Sequence, residues 1–206
     1  MAGKLQGRIH SIEEKESHAL PESSNIDRND YIERSGLAVS EIAEALSENA
    51  ELLYQVQNDL NEARMLLPNI ECITDEDMDP KNVMWHDGKP VVIDLECLDY
   101  GNPVSNALQL SLQWAGVTMC DVDTEKIRSF FEGYLSEYDN GFRDYDRVFG
   151  HSYTWIEWLE YNIIRSLETC RDKKEKRMAV DEVKNTLKRI RYIHDMEAEL
   201  KQALRF

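Results

Sequence analysis

The chain has 206 residues, 40 acidic against 24 basic, and a formal net charge of −16. That length suits one domain or a small pair, and a 42% hydrophobic content with 31% charged residues excludes wholesale disorder. No apolar run approaches the roughly 20 residues of a membrane-spanning helix, so no membrane is expected as a partner. The acidic excess lies in residues 1–150, with 30 acids and 12 bases, whereas residues 151–206 hold 10 and 12. Such a body repels phosphate backbones, which argues against nucleic acid; it would attract cationic ligands, while composition alone favours the plainer reading that the charge keeps the protein soluble. Cys72, Cys97, Cys120 and Cys170 form no C-x-x-C pair and read as reduced thiols of a cytoplasmic protein. Met1 to His10 contains no apolar stretch of the secretory kind.

In chain order, residues 11–38 are polar and poorly periodic, and are expected to form loop with short helical turns. From Ser40 to Leu67 the positions Ile42, Leu46, Asn49, Leu53, Val56, Leu60, Ala63 and Leu67 alternate by four and three, with Asn49 alone polar. Ser40 can cap the run and Pro68 stops it, which predicts one long amphipathic helix. Further helices are predicted over Asp123–Tyr138, burying Ile127, Phe130, Phe131 and Tyr134; over Ser152–Glu168, with Tyr153, Trp155, Trp158 and Tyr161 as core; and over Glu175–Leu204. Nine bases between Arg171 and Arg191 read as a solvated face. His10 reads as a packed helix residue, His86 as exposed and Cys97 as a buried thiol.

One stretch, Ile73 to Pro103, differs in character. Val83-Met84-Trp85 and Val91-Val92-Ile93 flank His86-Asp87-Gly88-Lys89, and Asp-Gly between apolar runs signals a β-hairpin. The fold class is therefore mainly α with a small β-hairpin. Asn82 and Asp94 lie six residues either side of Gly88, so the turn brings them near each other. An amide oxygen and carboxylates converging at one end of a hairpin make a hard-oxygen site suited to Mg²⁺. Asp77 lies on the same loop, five residues before Asn82, free to accept a proton from an incoming hydroxyl. A base, an Asn on the same loop and an Asp after the next hairpin are the parts that phosphoryl transfer uses. Asp75, Asp77 and Asp79 also imitate a calcium-loop ladder, but Pro80 and His86 occupy the positions that would need Gly and Glu.

These residues, Asp77-Met-Asp-Pro-Lys-Asn82-Val-Met-Trp and Val-Val-Ile-Asp94-Leu-Glu96, resemble the aminoglycoside phosphotransferase and choline kinase-like family, whose pattern is His-x-Asp-x-x-x-x-Asn, a hairpin, then Ile-Asp-[Phe/Trp]-Glu. Gly7-Arg8-Ile9-His10 is similar to the helix after the interlobe hinge in those enzymes, and Gly101-Asn102-Pro103 with Trp114 fits the segment after the metal Asp. The resemblance implies a helical C-terminal lobe of a protein kinase-like fold over residues 1–206, with 71–103 as catalytic loop and metal-binding hairpin. It further implies Asp77 as catalytic base, Asn82 and Asp94 as Mg²⁺ ligands, ATP as phosphoryl donor and a small, cationic alcohol as acceptor. Asp75, Asp79, Glu96 and Asp99 are candidates for substrate contact or for support of the ligands.

Three departures accompany the resemblance. Asp75 stands where the family has His, and Asn106 where it usually has Asp. No Gly-rich nucleotide lobe precedes residue 70, because residues 1–10 already match the post-hinge helix. The competing expectation is a truncated, catalytically silent relative that binds partners or oligomerises through an apolar interlobe face.

Overall fold

The computed structural model describes residues 1–19 and 22–206. It is mainly helical, with two small antiparallel sheets. Helix α1 (Ala2–His10) packs on α6 (Thr124–Leu135), and two glycines permit the close approach. A Cβ on Gly3 would lie 1.9 Å from the Phe130 carbonyl oxygen, and one on Gly7 would lie 2.6 Å from that of Tyr134. Strand β1 (Glu14–Glu16) follows, then α2 (Arg28–Ala38). The described residues between 11 and 38 thus include a strand and an 11-residue helix where loop with short helical turns was expected, and the part of that expectation that falls on residues 20–21 lies outside the described residues. Asp27 caps α2 by accepting from the Asp30 amide, and only Tyr31 and Ser35 of the helix are buried, so tertiary contact rather than periodicity holds it.

The predicted helix over Ser40–Leu67 is two helices, α3 (Ser40–Glu48) and α4 (Ala50–Met65), broken at Asn49. The Asn49 amide nitrogen donates to the Ala45 carbonyl at 2.7 Å, so the single polar residue of the stripe caps one helix and starts the next. Ile42, Leu46, Leu53, Val56, Leu60 and Ala63 are all buried. The helix predicted from Asp123 is α6, which begins at its Asp123 cap, whose carboxylate accepts from the Glu125 amide. The aromatic segment starts as a 3₁₀ turn (Phe149–Thr154), continues as α7 (Trp155–Ile164) and ends in a π turn over Arg165–Thr169. The predicted C-terminal helix is likewise two, α8 (Lys173–Asp195) and α9 (Glu197–Ala203).

The segment that positions the candidate site starts on β2 (Ile70–Asp75), which pairs with β1 on one side and β5 (Leu98–Gly101) on the other. In the second ladder Thr74 faces Asp99 and Asp75 faces Leu98. The chain therefore leaves the sheet at Asp75 and re-enters it directly opposite, at Leu98. Between these points lie a loop and the hairpin β3 (Val83–His86) and β4 (Lys89–Val92). Asp87 and Gly88 have φ of 49° and 72°, the backbone of a two-residue type I′ turn. Helix α5 (Pro103–Ala115) leaves β5 under an Asn102 cap, and Val104, Ala107, Leu108, Leu110 and Leu112 are buried, as in a central helix covered on most sides. No helix among the described residues is long and apolar enough to cross a membrane.

Candidate active site

The hairpin register places Asn82 opposite Ile93, whose amide donates to the Asn82 carbonyl at 2.9 Å, so Asp94 is the next residue on the returning chain. Asp94 adopts φ 62° and ψ 65°, left-handed backbone that costs a non-glycine residue about 1 kcal/mol. Its carboxylate has no hydrogen-bond or ion-pair partner among the described residues, and no cap bond holds it. The Asn82 amide nitrogen donates to Asp77 Oδ2 at 2.8 Å and to the Asp77 carbonyl at 2.9 Å, leaving Asn82 Oδ1 without a partner. Asp77 Oδ1 takes Lys81 Nζ at 2.8 Å, and Lys81 also reaches Asp79 Oδ2 at 3.2 Å. The Asp77 bond and the Asp79 carboxylate raise the Lys81 ammonium above its ordinary pKa and keep it charged. Sequence reasoning overlooked Lys81, which is the nearest cation to the proposed base.

Asp75 is fully buried at the end of β2. Its Oδ1 accepts the Asp77 amide at 3.1 Å, and its Oδ2 has no partner. Burial, with the fields of Asp77, Asp94 and Asp79, pushes its carboxyl above the usual range. Asp75 shapes the loop from beneath. Asp79 caps the Pro80–Asn82 turn through the Lys81 amide. Glu96 is exposed on the short turn after Asp94, and Asp99 lies on β5 opposite Thr74, with its Oδ1 accepting from the Tyr100 amide. Cys97 is exposed, contrary to expectation, because the turn over Leu95–Cys97 lies on the surface. Several apolar side chains of the hairpin and of the chain after it, Met84, Trp85, Val91, Ile93, Leu95 and Leu98, are exposed.

A buried polar chain supports the loop from behind. Asn106 on α5 donates through Nδ2 to the Asp75 carbonyl at 3.3 Å, so an amide ties down the loop where the family commonly uses a carboxylate. Asn106 Oδ1 accepts from Gln6 Nε2, which also sits against His10 Nε2, and His10 Nε2 lies 3.0 Å from the same oxygen. With Nε2 donating, His10 Nδ1 accepts the Tyr134 hydroxyl at 2.8 Å. Burial pushes the His10 pKa down to about 4, so the imidazole is neutral and packed, as the sequence suggested. Trp114 Nε1 holds the loop from its other side by donating to the Met78 carbonyl at 2.9 Å.

The loop borders a cavity of about 600 Å³ whose walls come from the loop (Asp77, Lys81), from α5 (Gln109) and from α7 and α8 (Trp155, Trp158, Arg189). Contrary to expectation, Trp158 is 42% exposed and stacks on exposed Tyr161 at 5.1 Å. His151 on the cavity wall is buried, and its pKa is pushed down to about 4 by that burial and by Arg64.

Among the described residues no group of three or more His, Cys, Asp or Glu is arranged to hold a metal. Any ion at the hairpin base would therefore rest on a mixed amide and carboxylate set. Asn82 Oδ1 and the Asp94 carboxylate fit that role, being hard oxygens without partners in a field that favours cations.

Fold and site together define a kinase-like helical scaffold that carries a carboxylate loop and a following hairpin. The sequence profile of the phosphotransferase enzyme family (APH) matches residues 1–151, and the chain belongs to that family. No curated protein matches the chain.

Proposed function

We propose that residues 1–206 form the catalytic, acceptor-binding lobe of an ATP-dependent phosphotransferase. The γ-phosphoryl group passes to a hydroxyl of a small molecule that carries an amine. Asp77 orients the acceptor hydroxyl and takes its proton as the oxygen–phosphorus bond forms and the bond to the β-phosphate oxygen breaks. Asn82 and Asp94 would hold Mg²⁺, which when bound neutralises charge on the transferred group. Lys81 must release Asp77 Oδ1, or share it, as the hydroxyl arrives. The observation that supports this reading best is the closed excursion between Asp75 and Leu98, which has Asp77, Asn82 and the left-handed Asp94 within one loop-and-hairpin unit. Five carboxylates on the cavity wall (Glu76, Asp77, Asp79, Glu157, Glu182) support an amine on the acceptor.

A second reading, a silent relative that acts as a binding module, draws on Asp75 in place of the family imidazole and on the double engagement of Asp77 by Lys81 and Asn82. Calorimetric titration of the full chain with Mg²⁺ and ATP separates the two. Saturable binding that weakens at least about tenfold in Asp94→Asn supports the phosphotransferase; absence of binding, or binding indifferent to Asp94, supports the silent module.

A further inference from the structure

Three cations border the cavity beside the loop. Arg64 and Arg189 are largely buried in its helical walls; Arg64 Nη2 meets Glu157 at 2.8 Å, and the Arg189 guanidinium lies over Trp155, 4.1 Å from the ring centroid. Lys81 belongs to the loop itself, and its side chain is 64% exposed. Its Nζ lies 2.8 Å from Asp77 Oδ1 and 3.2 Å from Asp79 Oδ2, so two carboxylates hold it. Asp79 is the firmer anchor, because its side chain is less exposed than that of Asp77 and its Oδ1 also accepts the Lys81 amide at 3.0 Å. An ammonium tied in this way stays beside Asp77 when another donor takes Oδ1. Lys81 is also the only cation in contact with Asp77 among the described residues, on a loop that carries Glu76, Asp77 and Asp79 and has Asp94 on the returning chain. A phosphoryl group brought to Asp77 enters a field that repels it, and a positive charge beside the base counts for most there.

We infer that Lys81 is a second catalytic residue of the loop: as the acceptor hydroxyl takes Asp77 Oδ1, the ammonium, still tethered by Asp79, turns onto the oxygens of the phosphoryl group in transit. The inference rests on the phosphotransferase reading and adds to it a charge borne by the protein at the reacting centre. A hydroxyl oriented by Asp77 stands about 3–3.5 Å from the phosphorus it attacks, within the swing of the exposed Lys81 stem. The acceptor oxygen–phosphorus bond forms as the phosphorus–oxygen bond to the β-phosphate breaks. The electron pair of the broken bond leaves with ADP, and the proton of the acceptor passes to Asp77. Lys81 keeps its three protons throughout and acts as a point charge. Asp79 is then a positioning residue that acts through Lys81.

The test compares the full chain with Lys81→Met, Lys81→Arg and Asp79→Asn. Two calorimetric probes need no acceptor: Mg²⁺ with ATP, and Mg²⁺ with ADP and tetrafluoroaluminate, whose planar anion imitates the phosphoryl group in transit. Lys81→Met is expected to lose about tenfold or more of the affinity for the fluoroaluminate complex while ATP binding changes less than about threefold. Release of the γ-phosphoryl group from Mg²⁺ and ATP, with water as acceptor, should fall about 10–10³-fold in kcat with little change in KM for ATP. Lys81→Arg, which keeps the charge, should recover part of both losses. Asp79→Asn, which keeps an oxygen for the Lys81 amide but loosens the ammonium, should show smaller losses of the same kind. An exposed ion pair contributes little to stability, so Lys81→Met should unfold at the temperature of the parent. A kcat that rises in Lys81→Met marks the ion pair as a brake on the base and overturns the inference. So does a lower unfolding temperature with both probes weakened alike, which marks a structural lysine, or a loss that Lys81→Arg does not restore. A parent chain that binds neither probe defeats the phosphotransferase reading together with this one. A parent that binds both, with Lys81→Met indistinguishable from it, defeats this inference alone.

Discussion

His10 and His151 give the fold a pH dependence whose size follows from their burial. Both imidazoles have pKa values pushed down to about 4 in the folded chain, against an ordinary 6.5 once the chain is unfolded. A group with a depressed basic pKa binds protons only in the unfolded state as the pH falls, so stability drops through the window from about 6.5 to about 4. Between about pH 7 and about pH 5 the unfolded chain gains roughly two-thirds of a proton more at each histidine than the folded chain does. Linkage converts this to roughly 2 kcal/mol per histidine, about 4 kcal/mol for the pair, a large share of the stability of a domain. Asp59 and Asp75, whose carboxyls are raised chiefly by burial, take protons earlier in the folded chain and work in the opposite direction. Urea unfolding at the two pH values measures the difference, and His151→Gln should remove about half of it. A loss under about 1 kcal/mol, or one untouched by His151→Gln, would refute the neutral, buried state of these rings. With it would go the tautomer that lets His10 hold Asn106, and through Asn106 the carbonyl of Asp75.

Gly7→Ala should destabilise the chain by about 1–3 kcal/mol in the same assay, since the added methyl meets the Tyr134 carbonyl at 2.6 Å and neither helix backbone can yield without disturbing the α1–α6 contact. Trp114→Phe removes the donor to the Met78 carbonyl while keeping most of the aromatic packing; kcat should fall severalfold with an unchanged circular dichroism spectrum, and an unchanged kcat would show that the loop does not rely on this bond. Cys97 reports on the proposed metal site without any turnover. Partial desolvation of this exposed thiol by its neighbours, and then the fields of Asp77, Asp75, Glu96 and Asp94, raise its pKa, so Mg²⁺ at Asn82 and Asp94 should accelerate its alkylation, with no acceleration in Asp94→Asn.

The site was legible where its geometry is local. Asp-Gly between β-prone runs dictates the turn, and the turn dictates that Asn82 and Asp94 return to the same end of the hairpin. Residues whose part is decided by tertiary packing were not legible. Arg189 is one of nine bases in a run, and nothing local separates it from its solvated neighbours; only the packing of Trp155 and Glu182 around it buries it. Trp158 and Tyr161 carry the composition of a core, yet Trp158 lines the cavity and Tyr161 stacks on it with more than half its surface exposed. Asn49 was visible as the odd residue of its stripe, yet periodicity alone does not say whether such a residue is tolerated or breaks the helix. Helix α2 has too weak a stripe to announce itself and is held by contacts remote in sequence, such as the Tyr31 hydroxyl on Glu160 at 2.8 Å.

The most direct measurement of the central claim is Mg²⁺-dependent transfer of the γ-phosphoryl group from ATP to a panel of small alcohols, including hydroxy acids and amino alcohols, by the parent chain and by Asp77→Asn. Loss of the proton acceptor with the loop otherwise intact should lower kcat by about 10²–10⁴-fold with little change in KM. Transfer that survives in Asp77→Asn, or a parent chain that transfers to no member of the panel, would contradict the account.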